Sequence, residues 1–242
     1  MKADQIMDAL GRVKDTYVME AMPCKKKAKK TSLRWIAAVL AILIMALAFF
    51  QTAPSAAAIE MVKDAVTSFI EMLFPPKDIP VNVEGMTEDI HHEAGGLAPE
   101  VQEDGTVQTP GFAIYYDTER YVMSEENGVT YIRFIAENEL PPCEVEIKHI
   151  PNVVPAEAAT AAKEQMGELW ENHSEITALE DKDGVHFWVS EGSNWDSACE
   201  DVYFLSDGGT GSFQITARYF IEATEGHGVR FSQMVKTFEV IS

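Results

Sequence analysis

Residues 111–135 read Gly-Phe-Ala-Ile-Tyr-Tyr-Asp-Thr-Glu-Arg-Tyr-Val-Met-Ser-Glu-Glu-Asn-Gly-Val-Thr-Tyr-Ile-Arg-Phe-Ile, and this stretch decides the fold class. Apolar and polar side chains alternate through 112–116, 121–123 and 129–135, the period-two pattern of strands that bury one face. Glu125-Glu-Asn-Gly128 supplies a tight turn, since Asn and Gly accept the positive φ that short hairpins require. The pattern extends over 145–150, which makes a meander. Next, Ala159, Ala162, Met166 and Trp170 recur at helical spacing within an Ala-rich run, predicting a helix over 156–170. Alternation resumes at 175–179, 185–189, 198–205 and 212–220. A short helix over 228–238, carried by Val229, Met234, Val235 and Phe238, closes the chain ahead of 239–241. Antiparallel strands with helices laid on them argue an α+β class for 111–242, a sheet or sandwich with two helices.

Working toward the amino terminus, residues 75–110 hold Pro75, Pro76, Pro80, Pro99 and Pro110, the pair Gly95-Gly96, and eight Asp/Glu between Asp78 and Asp104. Without periodicity and with few large apolar residues, this segment is expected to be a flexible, disordered acidic linker. Its His91-His92 pair has no third ligand at fixed spacing and reads as solvated. Before it, Ile59, Val62, Val66, Phe69 and Leu73 repeat every three or four residues. They predict a juxtamembrane amphipathic stalk helix over 54–74, lying on a membrane surface, pairing with a neighbour, or packing as core.

Residues 35–53 carry no charge and run Trp-Ile-Ala-Ala-Val-Leu-Ala-Ile-Leu-Ile-Met-Ala-Leu-Ala-Phe-Phe-Gln-Thr-Ala, just long enough for a transmembrane helix. Nine of these side chains are Leu, Ile, Val or Phe, which favours insertion by roughly 3–5 kcal/mol. Lys25, Lys26, Lys27, Lys29, Lys30 and Arg34 stand on the amino side, whereas Glu60 is the first charge on the other. The positive-inside rule then places the amino terminus in the cytoplasm, the span in the cell membrane, and the rest outside. Small residues at 52–58 leave a cleaved signal peptide as the competing reading, although a head of thirty-four residues is long for one.

That head, residues 1–34, carries nine Lys/Arg against four Asp/Glu, and the remainder ten against thirty-five. A body near −25 repels phosphate backbones and anionic headgroups, so the outer domain is not expected to bind nucleic acid. Within the head, Ile6, Leu10, Val13 and Tyr17 line one stripe of an amphipathic helix that Pro23 stops. Too short to be stable alone, that helix requires a membrane, another copy or a protein partner. Cys24 precedes the apolar run, while Cys143 and Cys199 follow it. A Cys143–Cys199 bridge is worth about 4 kcal/mol in the chain-entropy model; two buried free thiols are the other reading, and the sequence leaves both open.

The order of elements over 111–242, with the opening Gly111-Phe-Ala-Ile-Tyr-Tyr116 and the closing Phe231-Ser-Gln-Met-Val-Lys-Thr-Phe238, resembles the PsbP-like domains of exported bacterial proteins. That resemblance implies a scaffold for binding and assembly rather than one activity. The head, Met7-Asp-Ala-Leu-Gly-Arg-Val-Lys-Asp-Thr-Tyr-Val-Met-Glu-Ala21 followed by a Lys cluster and one span, resembles anti-sigma-factor-type sensor proteins of Gram-positive bacteria. It implies a cytoplasmic, sigma-factor-like partner and an outer domain that senses the envelope; the His-Cys-Cys zinc motif of one such class is missing.

A nucleophile elbow, a Walker A loop, a dinucleotide fingerprint, His-Glu-x-x-His and Cys-x-x-Cys are all absent. No catalytic, cofactor or metal residue is therefore assigned. Gly208-Gly-Thr-Gly211 lies between two strand patterns and reads as a hairpin; Glu180, Asp181 and Asp183 lack EF-hand spacing and read as a charged loop. Trp195, within Gly192-Ser-Asn-Trp195, is the aromatic residue singled out as a ligand contact. The expected function is that of a non-enzymatic regulator or sensor with a cytoplasmic protein partner and an envelope ligand or protein outside. The alternative is an anchored structural or accessory protein without signalling.

Overall fold

The computed structural model describes residues 68–83, 85–101, 107–135, 140–167 and 170–241. The head, the apolar run 35–53, the lysine cluster and most of the 54–74 segment lie outside the described residues. The described chain opens on helical residues 68–73, with Phe69 and Ile70 buried and Met72 exposed. None of the described helices is long and apolar enough to cross a membrane.

Fourteen strands follow from residue 77 onward among the described residues: β1 (Lys77–Val83), β2 (Met86–Leu97), β3 (Glu100–Val101), β4 (Val107–Thr109), β5 (Gly111–Tyr116), β6 (Tyr121–Glu126), β7 (Val129–Phe134), β8 (Glu144–Ile150), β9 (Asn172–His173), β10 (Thr177–Ala178), β11 (Gly184–Ser190), β12 (Ala198–Ser206), β13 (Ser212–Phe220) and β14 (Glu239–Ile241). Helix α1 (Pro155–Met166) separates β8 from β9, and α2 (Val229–Lys236) precedes β14. One sheet runs β10-β11-β12-β13-β8-β7-β6, with β9 also on β11; a second runs β1-β2-β5-β14; β3 and β4 pair with each other. All of these pairings are antiparallel.

The meander read from 111–135 is present with one difference: β5 leaves it and pairs with β2 and β14 in the smaller sheet. The β6–β7 hairpin turns through Asn127 and Gly128, at φ 55° and 77°, the left-handed pair that matches strand twist.

The side-chain period of two gives the larger sheet two different faces. On β13, Phe213, Ile215, Ala217 and Tyr219 join a core with Phe112 and Ile114 of β5, Tyr121 of β6, Val145 and Ile147 of β8, and Phe231, Met234 and Val235 of α2. Here the smaller sheet and α2 cover the larger sheet, and Phe112 sits 5.7 Å from Phe213 and 5.2 Å from Phe238, ring to ring. On the other face Phe187, Val189, Val202 and Phe204 take Ala158 and Ala159 of α1. The alanines that favour the helix also let it approach closely.

Away from α1, that second face is charged. Arg218 on β13 meets Glu146 (2.7 Å) and Glu144 (3.2 Å) of β8 and Glu200 (2.7 Å) of β12. Arg133 on β7 meets Glu144 at 3.0 Å and also pairs with Glu126 of β6. The ladder runs across five neighbouring strands, so part of the acidic excess is structural. Cross-strand pairs of opposite charge support the register, each by roughly 0.2–1 kcal/mol.

The expected disordered linker at 75–110 is corrected by the structure: its described residues include β1, β2, β3 and β4. Two inward residues, Ile79 and Val81, anchor β1, and Ala94 and His92 are the buried residues of β2. The acidic residues Asp78, Glu88, Asp89 and Glu93 take exposed positions. Pro80 falls on an edge strand, β1, the kind of strand in which proline is tolerated because only one side carries a ladder. Gly96 is required by close approach, since a Cβ there would lie 1.9 Å from the Phe112 carbonyl oxygen. The two histidines are not solvated together: His91 bonds Asp78 at 3.1 Å, while His92 is buried with Nδ1 2.7 Å from the Ile90 carbonyl.

Phe112→Ala removes the ring that joins the two sheets, and its expected cost is about 3–5 kcal/mol. Val122→Ala, at an exposed position on edge strand β6, is expected to change stability by about 0.5 kcal/mol or less. Urea unfolding of both variants checks the contrast.

Candidate ligand-binding site

At one end of the larger sheet lies a cavity of about 240 Å³, lined by Arg133 and Phe134 of β7, Leu140, Pro141, Pro142 and Cys143 ahead of β8, Glu144, Phe220 and His227. Local sequence explains its shape. Phe134 N–H donates to the Cys143 carbonyl at 3.0 Å, holding the two ends of the β7–β8 connection together. Pro141 and Pro142 cannot donate to a ladder, so β8 begins only after them. Opposite, β13 ends at Phe220 and the chain tightens into a 3₁₀ turn, Ile221–Ala223, then a π-helical turn, Thr224–Gly228, before α2. Such π turns recur at functional sites. The turn carries His227 to the cavity.

His227 is held on several sides. Its Nδ1 lies 2.8 Å from the Tyr121 hydroxyl, and its ring stands edge-on to Phe134 at 4.5 Å. Tyr121 is buried to 1% exposure, and burial pushes its hydroxyl well above the usual tyrosine range. A buried hydroxyl proton requires an acceptor, and Nδ1 is the one in reach. That assigns the neutral tautomer with hydrogen on Nε2, which has no protein partner among the described residues. Burial, then the charges of Arg230 and Arg120, hold the imidazole down at about 4. At neutral pH His227 therefore brings a neutral imidazole to a cavity whose walls are mostly apolar, with the paired Arg133 and Glu144 at one side.

The cysteines resolve the alternative left open by the sequence. Cys143 and Cys199 are both buried free thiols. Cys199 is opposite Tyr219 on β13, and Cys143 directly precedes Glu144, which is opposite Arg218 on the other side of the same strand. With β13 between them, their backbones are roughly 10 Å apart, two inter-strand spacings, beyond the reach of a disulfide. Burial pushes both thiols up to about 11, which makes them poor nucleophiles at neutral pH.

Trp195 is 57% exposed, and its ring stands edge-on to Phe220 at 6.3 Å. It thus abuts a wall residue of the cavity without lining it. The partner-binding residues Ile6, Leu10, Val13 and Tyr17, and the orientation residues Lys25, Lys26, Lys27, Lys29, Lys30 and Arg34, lie outside the described residues.

Two further polar clusters have structural roles. Asp207 accepts from the N–H groups of Gly209 (2.8 Å) and Gly211 (3.0 Å) and from His149 Nε2 at 2.9 Å. Burial alone would raise its carboxyl, yet these bonds outweigh burial and hold it below the usual aspartate value. The Gly208–Gly211 run is thereby a carboxylate-capped hairpin between β12 and β13. Elsewhere Asp201 bridges His186 Nε2 (2.7 Å) and the Tyr219 hydroxyl (2.5 Å), with His186 stacked on Tyr203. Among the described residues no group of three or more His, Cys, Asp or Glu is placed to hold a metal ion.

Sequence reasoning reached Trp195 and missed its neighbours. Pro141-Pro142 was the legible signal of an interrupted strand, and Gly226-His227-Gly228 of an irregular turn, but neither reveals that β7, β8 and β13 converge there.

The His227 environment sets a pH dependence. Its folded value lies below its unfolded value, so the unfolded chain binds the proton first. Its contribution is present above about 6.5, the usual histidine value, and is lost as pH falls toward about 4. Unfolding free energies from urea titration at pH 7 and pH 5 are expected to fall more steeply for the wild type than for His227→Gln; parallel losses would contradict this.

No family model matches the chain, and no curated protein matches it in sequence. The reading of the site accordingly rests on its geometry.

Proposed function

We propose that the chain is a non-enzymatic, single-pass membrane regulator whose outer domain binds an envelope ligand and whose head binds a cytoplasmic partner, with a sigma-factor-like protein the first to test. The observation that carries the ligand half is the cavity at Phe134, Pro141, Pro142, Phe220 and His227. It is a concave apolar site with few polar groups and a perturbed histidine, the combination that marks binding sites. The membrane half is supported by the uncharged run 35–53 and the six Lys/Arg at 25–34 ahead of it. The head half is supported by the stripe Ile6, Leu10, Val13 and Tyr17, which requires a partner surface.

A reporter cysteine tests the topology. Cys143 and Cys199 are buried, so they will not compete for a bulky thiol reagent in the folded protein. Glu88→Cys, at an exposed position on β2, in a Cys24→Ala background is expected to react with a membrane-impermeant maleimide on intact cells at full-length mass. Reaction only after lysis would contradict the orientation, and a shortened soluble product would contradict the anchor. In the same background, Ile6→Asp, Leu10→Asp and Val13→Asp together are expected to abolish co-purification of the cytoplasmic partner while labelling of Glu88→Cys is unchanged. Unchanged co-purification would contradict the regulator reading.

A further inference from the structure

Resting on the cavity as the outer ligand site, the geometry points to a ligand class: we infer that it takes a small uncharged molecule with one ring-sized apolar group and one acceptor oxygen, the oxygen bonding His227 Nε2–H. Three observations converge on this.

The first is size. A dry cavity of about 150 Å³ accommodates benzene, so about 240 Å³ holds one ring or branched aliphatic group with a small polar appendage. A sugar chain or a folded peptide segment exceeds it. The walls agree, since Phe134, Leu140, Pro141, Pro142 and Phe220 offer hydrocarbon surface.

The second is the donor. Tyr121 occupies Nδ1, which leaves Nε2–H as the polar group to be satisfied at the cavity. Three residues further along the chain, Arg230 has its Nε buried without a hydrogen-bond partner among the described residues, and its Nη1 donates to the Gly226 carbonyl at a long 3.4 Å. Buried donors without acceptors carry a desolvation penalty. Acceptors are scarce beside the His227 turn, and a ligand oxygen gives Nε2–H a partner where a hydrocarbon does not.

The third is charge. Arg120 is neutralised by Asp117 at 3.2 Å. Arg133 pairs with Glu126 and Glu144, and Glu144 also meets Arg218, so the two charged side chains that line the cavity already have partners. A carboxylate or an ammonium ligand would enter partly desolvated and find no free counter-charge among the described lining residues, so a carbonyl is preferred to either.

Fluorine NMR on the full-length protein in nanodiscs, with empty nanodiscs as blank, tests the inference using 4-fluoroacetophenone, 4-fluorotoluene and 4-fluorobenzoate. The ketone is expected to bind about five- to tenfold more tightly than the hydrocarbon, the worth of one hydrogen bond, and more tightly than the carboxylate. His227→Phe is expected to erase the preference for the ketone while hydrocarbon binding persists. Leu140→Glu, at a half-exposed position on the rim, is expected to weaken ketone and hydrocarbon at least tenfold. Equal binding of ketone and hydrocarbon by the wild type, or tighter binding of the benzoate, would overturn the inferred ligand class and leave the cavity as a site. No binding of any probe at millimolar concentration would overturn the cavity as the ligand site itself.

Discussion

The structure depends on one constraint: strand β13 is central to the larger sheet, and both of its faces have to be dealt with. Its odd-numbered residues, Phe213 to Tyr219, are apolar and enter the core shared with β5 and α2. Its even-numbered residues, Gln214, Thr216 and Arg218, are polar and stand on the other face. An apolar face of that extent cannot be left in water, at about 25 cal/mol per Å² of apolar surface. The cover is assembled from distant parts of the chain, the smaller sheet from residues 77–116 and α2 with β14 from the carboxyl end. The polar face requires less. Helix α1 shields its apolar portion, and the Arg218 and Arg133 ladder matches the remaining carboxylates with cations.

Much of this was legible in the sequence, because the alternation that identifies a strand also states which side chains share a face. The strands at 112–116, 121–123, 129–135, 145–150, 185–189, 198–205 and 212–220 and the two helices occur close to where their periodicity put them. The acidic segment was not legible, for a physical reason. In β1 the inward residues are Ile79 and Val81, and in β2 they include His92 and Ala94, so the local apolar signal is faint. Five prolines, a Gly pair and a run of carboxylates are the composition of a linker, and here tertiary pairing overrides that composition. β2 is held by backbone pairing to β5 on one side and β1 on the other, and its Gly95 and Gly96 allow the close approach that larger residues would prevent.

The cavity follows from the same architecture. The larger sheet ends where prolines interrupt the approach to β8 and where β13 gives way to a π turn, and both interruptions leave backbone and ring surfaces that no strand continues to cover. Tyr121 fixes the His227 imidazole in one tautomer, Phe134 and Phe231 pack around it, and burial, helped by the charges of Arg230 and Arg120, keeps it uncharged. None of this could be read locally, since Tyr121 and His227 are separated by 106 positions. Cys143 and Cys199 teach a related point: cysteines on one sheet face are not thereby partners, because an intervening strand sets their separation.

The central claim is that residues 77–97, although acidic and proline-bearing, form part of the cover over the main core. Amide hydrogen exchange of the full-length protein tests it directly. The account predicts that amides of β1 and β2 bonded within the smaller sheet exchange slowly at neutral pH, approaching the protection of β12 and β13. Exchange of residues 77–97 at the rate of an unstructured chain, with β12 and β13 still protected, would contradict it.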